Sequence, residues 1–99
     1  MKLALIAFLT VEIHIEGARS LKDKRQVLRS LKDGLRARFN VSVAELESND
    51  LWQRATVGIV SVSSSRDYLE GLMQKVEREA NHIASSTGAE VTESFLDYL

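Results

Sequence analysis

No cysteine occurs in these 99 residues. That excludes a disulfide framework, a thiolate zinc site and a cysteine nucleophile, and it fits a reducing cytoplasm. Proline is also absent, so there is no Pro-rich linker or tail. No apolar run reaches the ~18–20 residues that a membrane span needs, so no membrane partner is expected. The opening MKLALIAFLT sets one Lys before an apolar stretch, but no small-residue cleavage site follows and the chain runs into the alternating VEIHIE. Alternation is strand behaviour, and the expectation is a strand rather than an export signal. What remains is ordinary: 44% apolar and 27% charged residues, enough for one soluble domain, residues 1–99, with its own core and no metal or disulfide to help it.

The formal net charge of −1 conceals a segregation. Arg19 to Arg38 holds eight Lys/Arg and two Asp, whereas the rest of the chain holds five Lys/Arg and twelve Asp/Glu. Net charge alone speaks against an anionic partner; the distribution reopens the question.

Hydrophobic periodicity orders the elements. Residues 2–16 alternate, with Leu3, Leu5, Ala7, Leu9, Val11, Ile13 and Ile15 on one face, and Gly17 ends the strand. Ser20, with Asp23 three residues on, reads as a helix N-cap and short capping box. Leu21, Leu28, Leu31, Leu35 and Phe39 follow at helical spacing with Val27 beside them, predicting a helix over 20–38 that Asn40 closes in a left-handed conformation. Strands are predicted over 40–47 and 51–62, joined by a turn at 48–50, with Gly58 marking a bulge or a close backbone approach. Ser64 and Asp67 repeat the cap, and Leu69, Leu72, Met73, Val76, Ala80, Ile83 and Thr87 predict a helix over 65–87, stopped by Gly88. The last strand is predicted over 89–98, with Val91 and Phe95 on one face and Leu96 and Tyr98 on the other.

The order β-α-β-β-α-β predicts an α+β, ferredoxin-like two-layer sandwich. Its antiparallel sheet should have strand order 4-1-3-2, with both helices on one face. SLKDKR at 20–25, RFNVSVAE at 38–45 and DLWQRATVG at 50–58 resemble the signature of the YlxP-like proteins, small bacterial proteins of unassigned function. The resemblance covers nearly the whole chain. It implies a ferredoxin-like fold in a bacterial cytoplasmic protein. Family genes often neighbour those for translation initiation factor two and ribosome-binding factor A, which points toward translation by association only. The family implies no catalytic residue.

Two surfaces carry the functional expectations. On a helical projection Lys22, Arg25, Arg29, Lys32 and Arg36 form one ridge, between about 40° and 120° from the core stripe. Lys24 lies over the core side of the first turn, its ammonium expected to snorkel out. The ridge is either a solvated flank, paired with the second helix or with Glu45 and Glu47, or a docking surface for phosphates. It contains no acid, unlike an i,i+4-paired helix. Lys22, Lys24 and Arg25 also crowd a helix N-terminus, where the macrodipole disfavours cations. The leading expectation is therefore RNA or a ribosomal component. A base-stacking sheet face is disfavoured, because RATVGIVSV has no aromatic in its middle. The second surface is the sheet face away from the helices, expected to expose Ala4, Ile6, Phe8, Ala44, Leu46, Val60, Val62, Leu96 and Tyr98. That is either scattered apolar residues or a homodimer interface, with Ile6, Phe8, Leu46, Leu96 and Tyr98 as its centre.

Other groupings are weaker. Glu12, His14 and Glu16 share a strand face and suggest either a metal or acid–base site or simply a wet strand end; no third element supplies a further ligand. No phosphate-cradling glycine loop, Ser/His/Asp set or cofactor motif is present, and no enzyme is expected. A small-molecule-binding regulatory domain using a dimer cleft, and a protein-interaction adaptor, are the alternatives to RNA binding.

Overall fold

The computed structural model describes residues 3–46 and 51–99. The expected turn at 48–50 and Glu47 lie outside them. The elements follow the expected order: β1 (Leu5–Ile15), α1 (Leu21–Arg38), β2 (Ser42–Glu45), β3 (Arg54–Ser63), α2 (Arg66–Ser86) and β4 (Ala89–Tyr98). The strands form one antiparallel sheet in the order β2-β3-β1-β4, the expected 4-1-3-2 read from the other edge. Both helices pack on one face, α1 beside β2 and α2 over β4 and β1.

The core lies between the layers. Ala7, Leu9, Val11, Ile13 and Ile15 of β1 and Ala55, Val57 and Ile59 of β3 meet Leu28, Leu31 and Leu35 of α1 and Leu69, Met73, Val76 and Ala80 of α2. Each Leu, Ile or Met removed from water there contributes about 1.5–3 kcal/mol.

The caps are local chemistry with small departures from expectation. Ser20 Oγ accepts from Asp23 N–H at 3.2 Å, while Asp23 reaches back to Arg19 N–H at 2.9 Å. In α2 the cap is Ser65 rather than Ser64: its Oγ accepts from Tyr68 N–H at 3.1 Å. Asn40 is not left-handed; no non-glycine residue has positive φ among those described, and α1 ends at an extended Phe39. Gly88, at φ 80°, does stop α2 as expected.

Gly58 marks a close approach, not a bulge. It pairs with Thr10 and Ala44 in unbroken register, and a Cβ there would meet Leu46 Cδ2 at 2.8 Å and Phe8 Cε1 at 3.0 Å. The bulge is in β4. Glu12 pairs with Glu93 but Ile13 with Val91, so Thr92 is an extra residue and the alternation of β4 changes phase across it. This corrects the expected facing of the last strand. Leu96 pairs with Leu9, and Tyr98 with Ala7, which places both on the helix-covered face and not in the open-face patch. Phe95, opposite Thr10, takes the open side instead and is 57% exposed.

Candidate nucleic-acid interface

The amphipathic winding of α1 puts its cations where the helical projection predicts. Lys22, Arg25, Arg29 and Arg36 are exposed and Lys32 is half-buried. Arg25, Arg29, Lys32 and Arg36 line one cleft of about 380 Å³ together with Leu28, Asp33 and Glu45; Lys22 lies outside it. Arg36 is partly committed to structure, donating from Nη2 to Val43 O at 3.3 Å. Among the described residues Lys22, Arg25, Arg29 and Lys32 have no carboxylate within 4.0 Å. Two acids nevertheless share the cleft, and they separate by use: Glu45 is held by Lys24, whereas Asp33 has no cation that close.

Lys24 departs most from expectation. It is 3% exposed and its ammonium does not snorkel. Nζ donates to Leu51 O at 3.0 Å and pairs with Glu45 at 3.4 Å. A buried ammonium is costly unless its donors are met, and here the partners are a carbonyl and a carboxylate. One of the three cations at the helix N-terminus is therefore a tether from α1 to β2 and to the segment before β3. The signal was in the sequence: residue 24 precedes Leu28 by four, on the core stripe.

The second surface is partly as expected. Ile6, Val60, Val62, Ala44, Leu46 and Phe8 share the open face through the pairs Ile6–Val62, Phe8–Val60 and Ala44–Gly58 and through Leu46 N–H donating to Thr56 O. Val62 is 59% and Leu46 47% exposed. Tyr98 instead lies under the guanidinium of Arg66, 4.2 Å from its ring centroid. Burial first, then the Glu70 carboxylate, push its phenol above the ordinary 10.0, with Arg66 opposing. Its hydroxyl finds no hydrogen-bond partner among the described residues.

The far end of the same face is polar. Glu12 accepts from Thr56 Oγ1 at 3.0 and 2.9 Å on its two oxygens, His14 faces Arg54 across the ladder, and Glu16 lies past the end of β1. Among the described residues no three His, Cys, Asp or Glu side chains come together in a metal-holding group.

A family model described as "Protein of unknown function (DUF503)" matches residues 6–95. The chain belongs to the DUF503 family. It is 43% identical over 72 residues to the uncharacterized protein YlxP of Bacillus subtilis (strain 168), covering 73% of this chain and 78% of that one. Among solved structures, a dimeric ferredoxin-like protein of unknown function from Bacteroides fragilis superposes with a TM-score of 0.64 at 12% identity, over 99% of this DUF503 chain and 96% of that one. A C-terminal segment of the alpha subunit of aIF2 from Pyrococcus abyssi gives 0.58 at 14% identity, over 97% of this chain. The DUF503 chain spans about half, 51%, of that archaeal structure. It spans 26% of the Bacillus subtilis YXEP peptidase, a dinuclear metal-binding protein matched with a TM-score of 0.61 at 15% identity. At these identities the likenesses concern the fold alone. No described helix is long and apolar enough to cross a membrane.

Proposed function

We propose that this DUF503 protein is a non-enzymatic RNA-binding domain of the bacterial cytoplasm that grips a phosphate backbone, free or ribosomal, with the flank of α1. The observation that carries the reading is the cleft in which Arg25, Arg29, Lys32 and Arg36 converge, all four without a carboxylate within 4.0 Å among the described residues. Unpaired guanidinium groups on a rigid helix suit phosphate oxygens. Backbone contacts position a protein without reading bases, so sequence preference through this cleft is weak.

The test is the salt dependence of binding to ribosomes and to structured RNA between roughly 50 and 150 mM salt. With three to five phosphate contacts, log K falls against log salt with a slope of about −2 to −4. No binding across that range overturns the reading. A thermal shift with a metabolite but not with RNA then favours the small-molecule regulatory domain, and capture of a protein partner that survives nuclease favours the adaptor.

The assembly we propose is a homodimer through the open sheet face. Ile6, Phe8, Leu46, Val62 and the unanticipated Phe95 give that face a cluster of large apolar side chains, several of them more than a third exposed. Light scattering should return twice the 11.1 kDa chain mass at micromolar concentration. Val62→Glu is a cleaner probe than Phe8→Glu, because Phe8 also packs over Gly58. A wild type that stays monomeric overturns the dimer.

A further inference from the structure

Trp52 sits just before β3, 47% exposed, in a concavity of about 340 Å³ lined by His14, Leu51, Gln53 and Arg54. An indole left in water forfeits hydrophobic stabilisation. The segment carrying it is nonetheless held on both sides. The buried Lys24 Nζ donates to Leu51 O at 3.0 Å, and Ile15 N–H donates to Gln53 O at 2.8 Å. Gln53 Nε2 donates to Glu16 O at 3.2 Å and reaches Ala18 O at 3.5 Å. The chain thus uses a buried ammonium and a side-chain amide to fix the backbone around an exposed aromatic. Such preorganisation lowers the ordering cost of binding whatever lands on the ring.

The neighbours of the ring indicate what lands there. His14 and Arg54 face each other across the β1–β3 ladder, so an indole, an imidazole and a guanidinium meet at one end of the sheet. An apolar partner side chain would gain little from a permanent charge beside it. A nucleotide uses both parts: the base stacks on an aromatic face and its phosphate pairs with the arginine. The concavity lies near the cleft on α1, the two linked through one buried ammonium. Glu45 lines that cleft and pairs with Lys24, and Lys24 in turn holds Leu51, which lines the concavity.

We propose that Trp52, flanked by His14 and Arg54, is a base-stacking subsite for an unpaired nucleotide of the RNA whose backbone lies in the α1 cleft. It rests on the RNA reading above and adds to it a preference for single-stranded over duplex RNA. The sheet-centre aromatics of RNA-recognition modules are not needed: one ring at the end of the sheet suffices for a single base.

Trp52 is the sole tryptophan, so intrinsic fluorescence reports this subsite alone. The probes are oligouridylate and oligoadenylate of about a dozen nucleotides, a length within the range one small domain covers, and an RNA duplex of the same length. The single strands quench the fluorescence; the duplex binds, by anisotropy of its label, without quenching. Trp52→Leu weakens single-strand binding about tenfold at constant salt and keeps the salt slope, while Trp52→Phe recovers most of the affinity. Equal quenching by the duplex, or Trp52→Leu binding single strands as tightly as wild type, overturns the subsite. If in that second case replacing Arg25, Arg29 and Lys32 by Gln still abolishes binding, the cleft stands without it. If the cleft variant binds as wild type while Trp52→Leu does not, the subsite stands and the cleft reading falls. Absence of any RNA binding by the wild type removes both.

Discussion

The two helices lie side by side on one sheet face, yet they treat charge in opposite ways. α2 carries three Lys/Arg and four Asp/Glu, and several are used: Glu70 accepts from Arg66 at 3.4 Å, Glu77 from Ser94 at 2.6 Å and Glu79 from Arg38 at 3.0 Å. α1 carries seven Lys/Arg against two Asp. Only three of its cations, Lys24, Arg36 and Arg38, make a described contact with another element. Where charge serves the fold, acids and bases alternate and pair. On α1 one sign collects along a flank, and most of its cations stay unpaired among the described residues.

Adjacent positions in α1 sharpen that contrast most. Leu35 is fully buried and Arg36 beside it is exposed. Leu35→Ala should cost about 3 kcal/mol in urea unfolding, from lost transfer energy and the cavity left behind. Replacing Arg25, Arg29 and Lys32 together by Gln should leave stability within about 0.5 kcal/mol, since Gln is a comparable helix former. It should also flatten the salt slope of RNA binding by about two units. A triple variant that unfolds early would make the ridge structural.

Lys24 tests the exception. Lys24→Ala should destabilise by about 2 kcal/mol, below the usual loss for a broken buried pair because Glu45 is 36% exposed and can rehydrate. Backbone amide exchange should then speed up selectively around Leu51 and Trp52. Unchanged exchange there would mean that Lys24 does not hold that segment.

On the open face, Gly58→Ala should cost about 1–3 kcal/mol, because the new methyl must push Leu46 and Phe8 aside. The smallest effect expected is at Tyr98. Its phenol pKa is raised in the folded protein, so above about pH 10 the folded state keeps a proton that the unfolded chain has released. Stability contributed by the neutral phenol is therefore present below 10.0 and is lost as pH rises toward the folded value. Tyr98→Phe should flatten that alkaline limb and be near-neutral at pH 7, since the hydroxyl has no described partner to lose.

Sequence periodicity by itself determined the elements and their order. A period of two in LIAFLTVEIHI and of 3.6 in the Leu stripe of α1 reflects which side chains leave water, a property each segment carries alone. The helical period also placed the ridge of cations, because the flank of a helix follows once its core stripe is known, and the element order pointed to the sheet order that strand pairing then shows. Tertiary structure decided everything that depends on a partner in another element. The extra residue Thr92 changes the phase of β4, so Phe95 faces outward and Leu96 and Tyr98 inward; only pairing with β1 reveals it. Lys24 is buried because Leu51 O and Glu45 come to it from elsewhere in the chain. Trp52 is exposed because those contacts, with Ile15 and Gln53, fix its backbone away from the core. Burial of a charge and exposure of a ring both run against residue-type preference, and each rests on contacts between residues far apart in sequence.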